Sequence, residues 1–341
     1  MEEITIGVIG AGRWGPNLIR NFNSDPRATV IMVSDKLSAR LKLIKERHSD
    51  IAVTEFAEEI IKNPKIDAVV ISTPTSTHFE LAKMALQNGK HVFVEKPLAT
   101  TVDECETLVK LAVSLNRVLF VGHIFVYNAG IQAVKKYIQS GELGSIHYIH
   151  STRTNLGPIR TDVNALWDLG THDVSIFNYW LGEAPLKVSA IGNCFLNPKV
   201  EDVVFATYSY PKNILTNIHV SWLNPKKVRE IVVVGEKKML MWDDMDIQNP
   251  IRLYDKKVTL DKPEDTMVDT FIGFRASIYE GDTTIPKISL NEPLAAECTA
   301  FLKAVREPSS SLSDGIKGTE VVKAIVAANR SLIERGREVS L

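Results

Sequence analysis

The stretch from Ile4 to Gly15, ITIGVIGAGRWG, decides the fold of this 341-residue chain. Its first six residues form a largely apolar run typical of a buried strand, and Gly10, Gly12 and Gly15 follow in the spacing GxGxxG. Pro16 stands in the first turn of the next helix, where no backbone N–H is needed. This order of strand, glycine turn and helix predicts a Rossmann domain whose helix N-terminus binds the pyrophosphate of a dinucleotide.

Asp35 ends the second predicted strand and indicates which dinucleotide binds. A carboxylate at this position accepts hydrogen bonds from a ribose 2′-hydroxyl and repels a 2′-phosphate. The sequence therefore predicts NAD, with NADP the less favoured cofactor. Lys36 and Arg40 either soften this preference or form an ordinary solvated helix start. The alternative for the whole motif is a glycine-rich turn that binds no ligand.

The remaining chain predicts two domains of the α/β class. Through residue 122, short β-branched runs alternate with amphipathic helical segments, which predicts a doubly wound parallel sheet in a Rossmann domain at 1–122. Longer strands then predict an α+β domain at 123–341 with a large, mostly antiparallel open sheet. The predicted strands are 4–9, 29–34, 51–53, 67–71, 91–94, 118–121, 145–152, 186–196, 203–210, 214–222, 228–234 and 238–242. The predicted helices of the second domain are 130–139, 163–180, 293–306 and 315–335, with a polar loop at 153–164 and a turn at 308–311.

Composition excludes several classes of function. Forty basic side chains balance 41 acidic ones, and no segment carries a dense Lys/Arg block, so we expect neither nucleic acid nor a membrane surface as a partner. The opening MEEITIGVIG lacks the features of a signal peptide, and no apolar run is long enough to span a bilayer. The three cysteines form no CxxC pair, so we expect no metal site, no disulfide framework and a cytoplasmic location.

We expect two further loops to lie next to the glycine loop, because the C-terminal ends of parallel strands lie at the same edge of a sheet. One is the hydroxyl-rich turn 72–78, and the other is Glu95-Lys96-Pro97, directly after the run 91–94. A Lys-Pro after a strand is often only a surface turn, but here it brings an ammonium group to the predicted cofactor edge. The predicted cofactor-binding residues are Gly10, Gly12, Arg13, Trp14, Gly15, Asp35, Thr73, Pro74, Thr75, His78, Glu95 and Lys96.

The heptapeptide 167–173, WDLGTHD, holds a candidate proton-transfer pair in the second domain. Asp168 and His172 are four residues apart, so an α-helix places them on one face, with Asn164 one turn earlier. We expect Gly170 between them to admit a ligand. The alternative is that His172 is a partly buried histidine with a structural role.

The motifs GAGRWG, EKP and WDLGTHD together resemble the glucose-fructose oxidoreductase, inositol dehydrogenase and rhizopine catabolism (Gfo/Idh/MocA) family of oxidoreductases. The resemblance implies an N-terminal Rossmann domain, a C-terminal sheet that binds substrate and forms a homodimer or homotetramer, and oxidation or reduction at one carbon of a sugar or polyol. It also implies that Lys96, Asp168 and His172 are catalytic, since they match the lysine, acid and histidine of the family motifs.

The segment 153–164 is similar to that of family members from nucleotide-sugar pathways, which oxidise the 3-hydroxyl of UDP-N-acetylglucosamine or its uronic acid. Arg153 and Arg160 would then bind an anionic diphosphate or carboxylate, or they are rim salt bridges. The predicted substrate-binding residues are Lys96, Arg153, Arg160, Asn164, Asp168 and His172.

The hypothesis for the mechanism is hydride transfer from a secondary alcohol to NAD. His172 takes the hydroxyl proton, Lys96 hydrogen-bonds the oxygen, and Asp168 orients the pair, although Lys96 and His172 could exchange roles. A dehydrogenase of a free sugar or an inositol-like polyol is the first alternative. A reductase of an imine, enone or pigment would not need His172, and an NAD-sensing regulator would not need Lys96.

Overall fold

The computed structural model describes residues 3–260, 276–307, 311 and 313–341. By the contacts between its Cα atoms, the chain divides into two compact units. Unit 1 comprises Met1–Asn128, Val174–Tyr179 and Asn291–Ala327, and unit 2 comprises Ala129–Asp173, Trp180–Leu290 and Ala328–Leu341. Two later segments thus join the N-terminal part in unit 1. The predicted boundary at residue 122 stays a prediction.

Unit 1 contains a six-stranded parallel sheet. Its strand order is β3-β2-β1-β4-β5-β6, the order of a doubly wound dinucleotide-binding fold. The Rossmann prediction is confirmed. The strands are β1 (Ile4–Ile9), β2 (Ala28–Ser34), β3 (Ala52–Thr54), β4 (Ala68–Ile71), β5 (His91–Glu95) and β6 (Leu119–Gly122). The helices between them are α1 (Gly15–Asn23), α2 (Ser38–Arg47), α3 (Ala57–Lys62), α4 (His78–Gln87) and α5 (Val102–Ser114).

Local sequence signals explain where the helices of unit 1 begin and end. Thr101 Oγ1 accepts the backbone N–H of Glu104, and Glu104 Oε2 accepts the backbone N–H of Thr101, which is a capping box at the start of α5. Gly89 has φ +76° just after α4, a conformation that favours glycine. These signals mark where α5 begins and where α4 ends.

An aromatic cluster forms the interior of unit 1. Phe93 of β5 stacks on Phe120 of β6 with ring centroids 5.3 Å apart. Phe301 packs edge-on against both rings, at 5.7 Å and 5.6 Å. Phe301 belongs to α8 (Pro293–Arg306), which the sequence predicts with the same bounds. The C-terminal third of the chain therefore completes the core of the Rossmann unit.

Unit 2 contains a nine-stranded mixed sheet in the order β14-β13-β12-β11-β7-β10-β9-β8-β15. Its neighbours are antiparallel except β7 and β10, so the predicted mostly antiparallel sheet is confirmed. The strands β13, β14 and β15 were not predicted. The bounds are β7 (Ile146–Leu156), β8 (Lys187–Asn193), β9 (Val203–Tyr210), β10 (Ile214–Ser221), β11 (Leu223–Gly235), β12 (Met239–Asp243), β13 (Ile251–Leu260), β14 (Ala276–Thr284) and β15 (Val339–Ser340).

Several predicted boundaries are wrong, among them the end of β8, at Asn193 instead of 196, and the start of β11, at Leu223 instead of 228. The predicted loop at 153–164 starts too early, because β7 continues to Leu156 in register with β10 and β11. The predicted helix at 163–180 begins instead with a π-helical turn, Leu166–Gly170, and continues as α7 (Thr171–Leu181). The other helices are α6 (Ala129–Gln139) and α9 (Gly315–Ile333). The turn predicted at 308–311 lies outside the described residues except for Ser311.

Across the described ranges, every helix is too short or too polar to cross a lipid bilayer.

Candidate active site

Three loops meet the carboxyl edge of the sheet in unit 1. β1, β4 and β5 are successive neighbours and run parallel, so their C-terminal ends lie at one edge. They lead into the glycine loop, the turn 72–78 and Glu95-Lys96-Pro97 respectively. The arrangement predicted from the order of motifs is the one observed.

The glycines of the loop have separate structural reasons. Gly10 has φ +101°, and a Cβ there would lie 2.7 Å from the carbonyl oxygen of Ser72. A Cβ on Gly15 would collide with the carbonyl oxygen of Gly10, so α1 can pack this close only with glycine. A Cβ on Gly12 would meet only Arg40 Nη1, at 3.7 Å. Gly12 therefore leaves open the space through which a pyrophosphate would pass.

Asp35 is tied to this loop. Its Oδ2 accepts the backbone N–H of Ala11 at 2.8 Å, and its Oδ1 accepts that of Leu37 at 2.9 Å. Arg40 Nη1 lies 3.2 Å from Oδ2. The carboxylate thus stabilises the loop, and the half-exposed Arg40 partly neutralises it.

A cavity of 990 Å³ follows these loops across unit 1. It is large enough for much of a dinucleotide, and open backbone at Gly12 meets the carboxylate of Asp35 there. The sequence missed Leu37 and Phe56, two exposed apolar side chains of the lining that could pack on an adenine ring. The residues present therefore fit NAD. Of the predicted cofactor residues, the lining includes Gly10, Gly12, Arg13, Trp14, Asp35, Thr73 and Pro74.

Thr75 and His78 lie behind the cavity wall. Both are buried, at 8% and 1% exposure. The His78 ring nitrogens lie 2.8 Å from the carbonyl oxygen of Pro97 and 3.0 Å from that of Thr73. Burial lowers the pKa of His78, which favours the neutral ring, and a neutral ring has one N–H to donate to one of these two carbonyl oxygens. His78 was predicted to contact the cofactor directly. In the structure its ring lies between the turn 72–78 and the EKP loop.

Glu95 ends β5 and Lys96 follows it, and both lie outside the residues that line the cavity. Both side chains are partly buried. Burial raises the pKa of Glu95 to about 7, against the opposing effect of the Lys96 charge. The carboxyl next to the candidate catalytic lysine therefore titrates near neutral pH.

Asp168 is held by two side chains of unit 2. Its Oδ2 accepts the indole Nε1–H of Trp222 at 3.3 Å, and its Oδ1 accepts Arg160 Nη1–H at 3.2 Å. Arg160 also binds Asp162, and that bond raises the pKa of Arg160 most. Of the two sequence interpretations for Arg160, the salt bridge is observed, and it fixes Asp168.

Arg153 and Asn164 are engaged inside unit 2. Arg153 Nη2 lies 2.9 Å from Asp173 Oδ1, and their side chains are 3% and 0% exposed. Asn164 Nδ2 donates to Glu201 Oε2 and Asn329 Oδ1, both at 2.9 Å. Its Oδ1 accepts the backbone N–H of Trp167 at 3.1 Å. These bonds leave the predicted substrate contacts of Arg153 and Asn164 without structural support, since both side chains face the interior.

The π-helical turn changes the expected geometry between Asp168 and His172. Residues 166–170 form the turn, and the partly buried His172 is the second residue of α7. The simple four-residue α-helical spacing therefore does not apply, and π turns inside helices are frequent at functional sites. A Cβ on Gly170 would lie 2.7 Å from Leu166 Cδ1, so this glycine serves packing. The expectation that Gly170 admits a ligand is wrong.

Comparison with known families identifies both parts of the chain. Residues 4–123 match an oxidoreductase family with an NAD-binding Rossmann fold, and residues 131–241 match the GFO/IDH/MocA C-terminal domain. Among similar proteins, the UDP-N-acetylglucosamine 3-dehydrogenase of Acidithiobacillus ferrooxidans is 24% identical over 325 residues, 95% of this chain and 96% of that protein. Its solved structure superimposes with a TM-score of 0.79 at 23% identity, covering 97% and 98% of the two chains.

Two further relatives differ in the share of the two chains that the match covers. The scyllo-inositol 2-dehydrogenase (NAD(+)) of Bacillus subtilis is 31% identical over 206 residues, which is 59% of this chain and 60% of that protein. This chain therefore spans less than two thirds of that relative. The WlbA dehydrogenase of Bordetella pertussis, solved with NADH and UDP-GlcNAcA, has a TM-score of 0.79 at 20% identity, covering 100% and 99% of the chains. At such identities the solved structures show the fold.

Proposed function

The chain belongs to the GFO/IDH/MocA family of NAD-binding oxidoreductases, and from that premise we propose that it oxidises the 3-hydroxyl of a nucleotide sugar, such as a UDP-N-acetylglucosamine derivative. The observation that carries the proposal is the position of Lys96, directly after β5 at the sheet edge where β1 enters the glycine loop. The 3-dehydrogenase matched over 95% of this chain supports the choice of substrate class.

The chain's own residues handle the proton. Bound NAD would accept the hydride that leaves the carbinol carbon. His172 takes the hydroxyl proton, and Lys96 donates a hydrogen bond to the oxygen as negative charge develops. Asp168, fixed by Trp222 and Arg160, orients the histidine. The alcohol thereby loses one hydride and one proton and becomes a ketone.

A turnover assay with a panel of alcohols tests this proposal. Purified protein is incubated with NAD and UDP-N-acetylglucosamine, its uronic acid, free N-acetylglucosamine or myo-inositol, and reduced cofactor is followed by absorbance. We expect turnover of a nucleotide sugar and its loss in the His172→Gln variant. If no compound reduces the cofactor, the proposal is wrong.

A dehydrogenase of a free polyol is the second candidate. The inositol dehydrogenase at 31% identity supports it. Turnover of myo-inositol or free N-acetylglucosamine alone would replace the nucleotide-sugar proposal with this one.

We also propose that the protein forms a homodimer or homotetramer through the outer face of the sheet in unit 2. Tyr148, Ile191, Phe205 and Leu215 lie on that face and are 43–58% exposed. The ring of Phe205 stacks on that of His219 at 4.4 Å between centroids. Exposed apolar side chains gathered on one sheet face are typical of protein interfaces.

A further inference from the structure

Unit 1 encloses two acidic side chains that the proposed reaction does not use directly. Glu297 of α8 is 0% exposed, and neither of its carboxyl oxygens has a hydrogen-bond partner among the described residues. Glu95, at the end of β5, interacts electrostatically with it. Buried carboxyl groups are rare unless they are paired or protonated.

The packing of α8 on the sheet explains why the two groups meet. Phe93 and Glu95 are two residues apart in β5 and therefore point to the same face of the sheet. Phe301 packs on Phe93 at 5.7 Å, and Glu297 lies one helical turn before Phe301 on the same face of α8. Glu297 therefore lies on the face of α8 that packs against β5, the strand that carries Glu95.

Gly122 makes room for the Glu95 carboxyl. The two residues are partners in the parallel pairing of β5 with β6. A Cβ on Gly122 would come within 3.3 Å of both Cδ and Oε2 of Glu95. A larger residue at this position would therefore press on the carboxyl and displace it by a few tenths of an ångström.

Among the described residues, the cation that acts on Glu95 is its chain neighbour Lys96. Burial, with a smaller effect of the Lys96 charge, lowers the pKa of His123 to about 3, so His123 is neutral. The other neighbours of Glu297 are Glu95, Tyr127 and Cys298, and Asp314 and Tyr179 act on Tyr127. Burial and the charge of Glu95 raise the pKa of Glu297 well above its ordinary value.

We propose that Glu95 and Glu297 form a pair that keeps one proton at and above neutral pH, and that the single charge of this pair holds Lys96 as an ammonium ion. Glu297 is fully buried with no hydrogen-bond partner among the described residues, so its ionised form is strongly disfavoured, and a charge on the nearby Glu95 disfavours it further because like charges repel in a low dielectric. Glu297 is then a positioning residue that acts through Glu95. The second half of this inference rests on the proposed role of Lys96, and the first half does not.

Infrared spectroscopy of the cofactor-free full chain tests the first half. A protonated carboxyl group has a C=O stretch that a carboxylate lacks. We expect this band in the wild type at pH 8.5 and its absence in Glu297→Gln. Below pH 7 the wild type should show additional intensity in this band from protonated Glu95. This intensity should disappear as pH rises through about 7, and it should be missing from Glu95→Gln. The control is Glu292→Gln, an exposed carboxyl at the N-terminus of the same helix, which should match the wild type.

A wild type without the band at pH 8.5 would overturn the inference. That result needs no variant, so it stands even if Glu297→Gln fails to fold. It also needs no turnover, so failure of the proposed function leaves it unaffected.

The pH dependence of turnover tests the second half. If Lys96 must be an ammonium ion, kcat/KM falls as pH rises through its pKa. Glu95→Gln removes the adjacent negative charge and should move this basic limb to lower pH by about one unit. Glu297→Gln leaves Glu95 charged and should not lower the limb. Coincident profiles for Glu95→Gln, Glu292→Gln and the wild type would refute the link to Lys96.

Discussion

The carboxylate of Asp35 accepts the backbone N–H of Ala11 at 2.8 Å, so the residue after β2 fixes the glycine loop after β1. The same group bonds the N–H of Leu37 and faces Arg40. Asp35 therefore stabilises the glycine loop with the same carboxylate that we expect to recognise a ribose. If that expectation holds, a change at Asp35 affects both cofactor selection and loop stability.

Replacing Asp35 by Asn should weaken NAD binding and reduce the preference for NAD over NADP. The amide keeps one acceptor oxygen but loses the charge, and a hydrogen bond to a charged group is worth about 1.5–3 kcal/mol, or roughly a tenfold change in affinity or more. Titration of each dinucleotide by calorimetry measures this. Asp50→Asn, an exposed carboxylate after α2, is the control. Unchanged affinity for both dinucleotides would contradict the role of Asp35.

Replacing Lys96 by Ala should lower kcat by about 10²- to 10⁴-fold, the usual contribution of a positioned acid or base. NAD affinity should stay nearly unchanged, because Lys96 lies outside the residues that line the cofactor cavity. Steady-state kinetics and NAD titration measure the two effects. Lys62→Ala, an exposed lysine of α3, serves as control. A Lys96→Ala enzyme with normal turnover would remove the lysine from the mechanism.

Replacing Asp173 by Asn should destabilise the protein by about 3–5 kcal/mol, because Arg153 is left as a buried charge without its carboxylate. The double variant Arg153→Met, Asp173→Leu should recover much of this loss, since it removes both charges. Denaturant unfolding measures the stabilities. Arg160→Met is the control, because its ion pairs are partly exposed and worth about 1 kcal/mol or less. Equal losses in the Asp173 and Arg160 variants would contradict the assignment of a buried pair.

Replacing Glu95 by Gln should raise thermal stability at pH 8 relative to pH 5. The pKa of Glu95 is raised in the folded protein to about 7 from an ordinary 4.5. A raised carboxyl pKa stabilises the fold fully below pH 4.5, and this contribution is lost as pH rises through 7. The variant lacks this loss, so its Tm minus that of the wild type should increase from pH 5 to pH 8. A difference that stays constant or decreases would show that the pKa of Glu95 is not raised.

Replacing Phe205 by Asp should reduce the oligomeric state of the protein. The charge would lie among exposed apolar side chains on the outer face of the sheet, where burial against a second copy is costly. Sedimentation velocity measures the assembly. Ile333→Asp, at a more exposed apolar side chain at the end of α9, is the control. A wild type that sediments as a monomer would disprove the proposed assembly.

The strands of the Rossmann unit could be predicted well, because each sequence signal that defines them spans only a few residues. Each strand of unit 1 lies within a residue or two of its predicted range, and a capping box of Thr101 and Glu104 marks the start of α5. Apolar periodicity, glycine conformations and helix caps act over a few residues, so their effect can be read directly. The glycine loop and Asp35 could be recognised for the same reason, because each is identified from a few neighbouring residues.

The polar residues of unit 2 were harder to predict because a side chain's role depends on its partners. Arg153 and Asn164 resemble ligand-binding residues in sequence, yet they bond residues 20 to 165 positions away. The π turn at Leu166–Gly170 also depends on packing, since Gly170 meets the side chain of Leu166. Neither effect leaves a signal in the local pattern.

The sequence by itself determined the fold class, the NAD site and the candidate catalytic side chains, because GxGxxG, Asp35 and the EKP tripeptide require particular local conformations and chemistry. Only the tertiary structure decided which of the polar side chains are structural. It brought α8 from the C-terminal third against β5, set Glu297 near Glu95 and paired Arg153 with Asp173. The physical reason is desolvation. The pKa of a buried side chain, and its need for a partner, depend on the distant segments that exclude water from it, and the local sequence does not specify those segments.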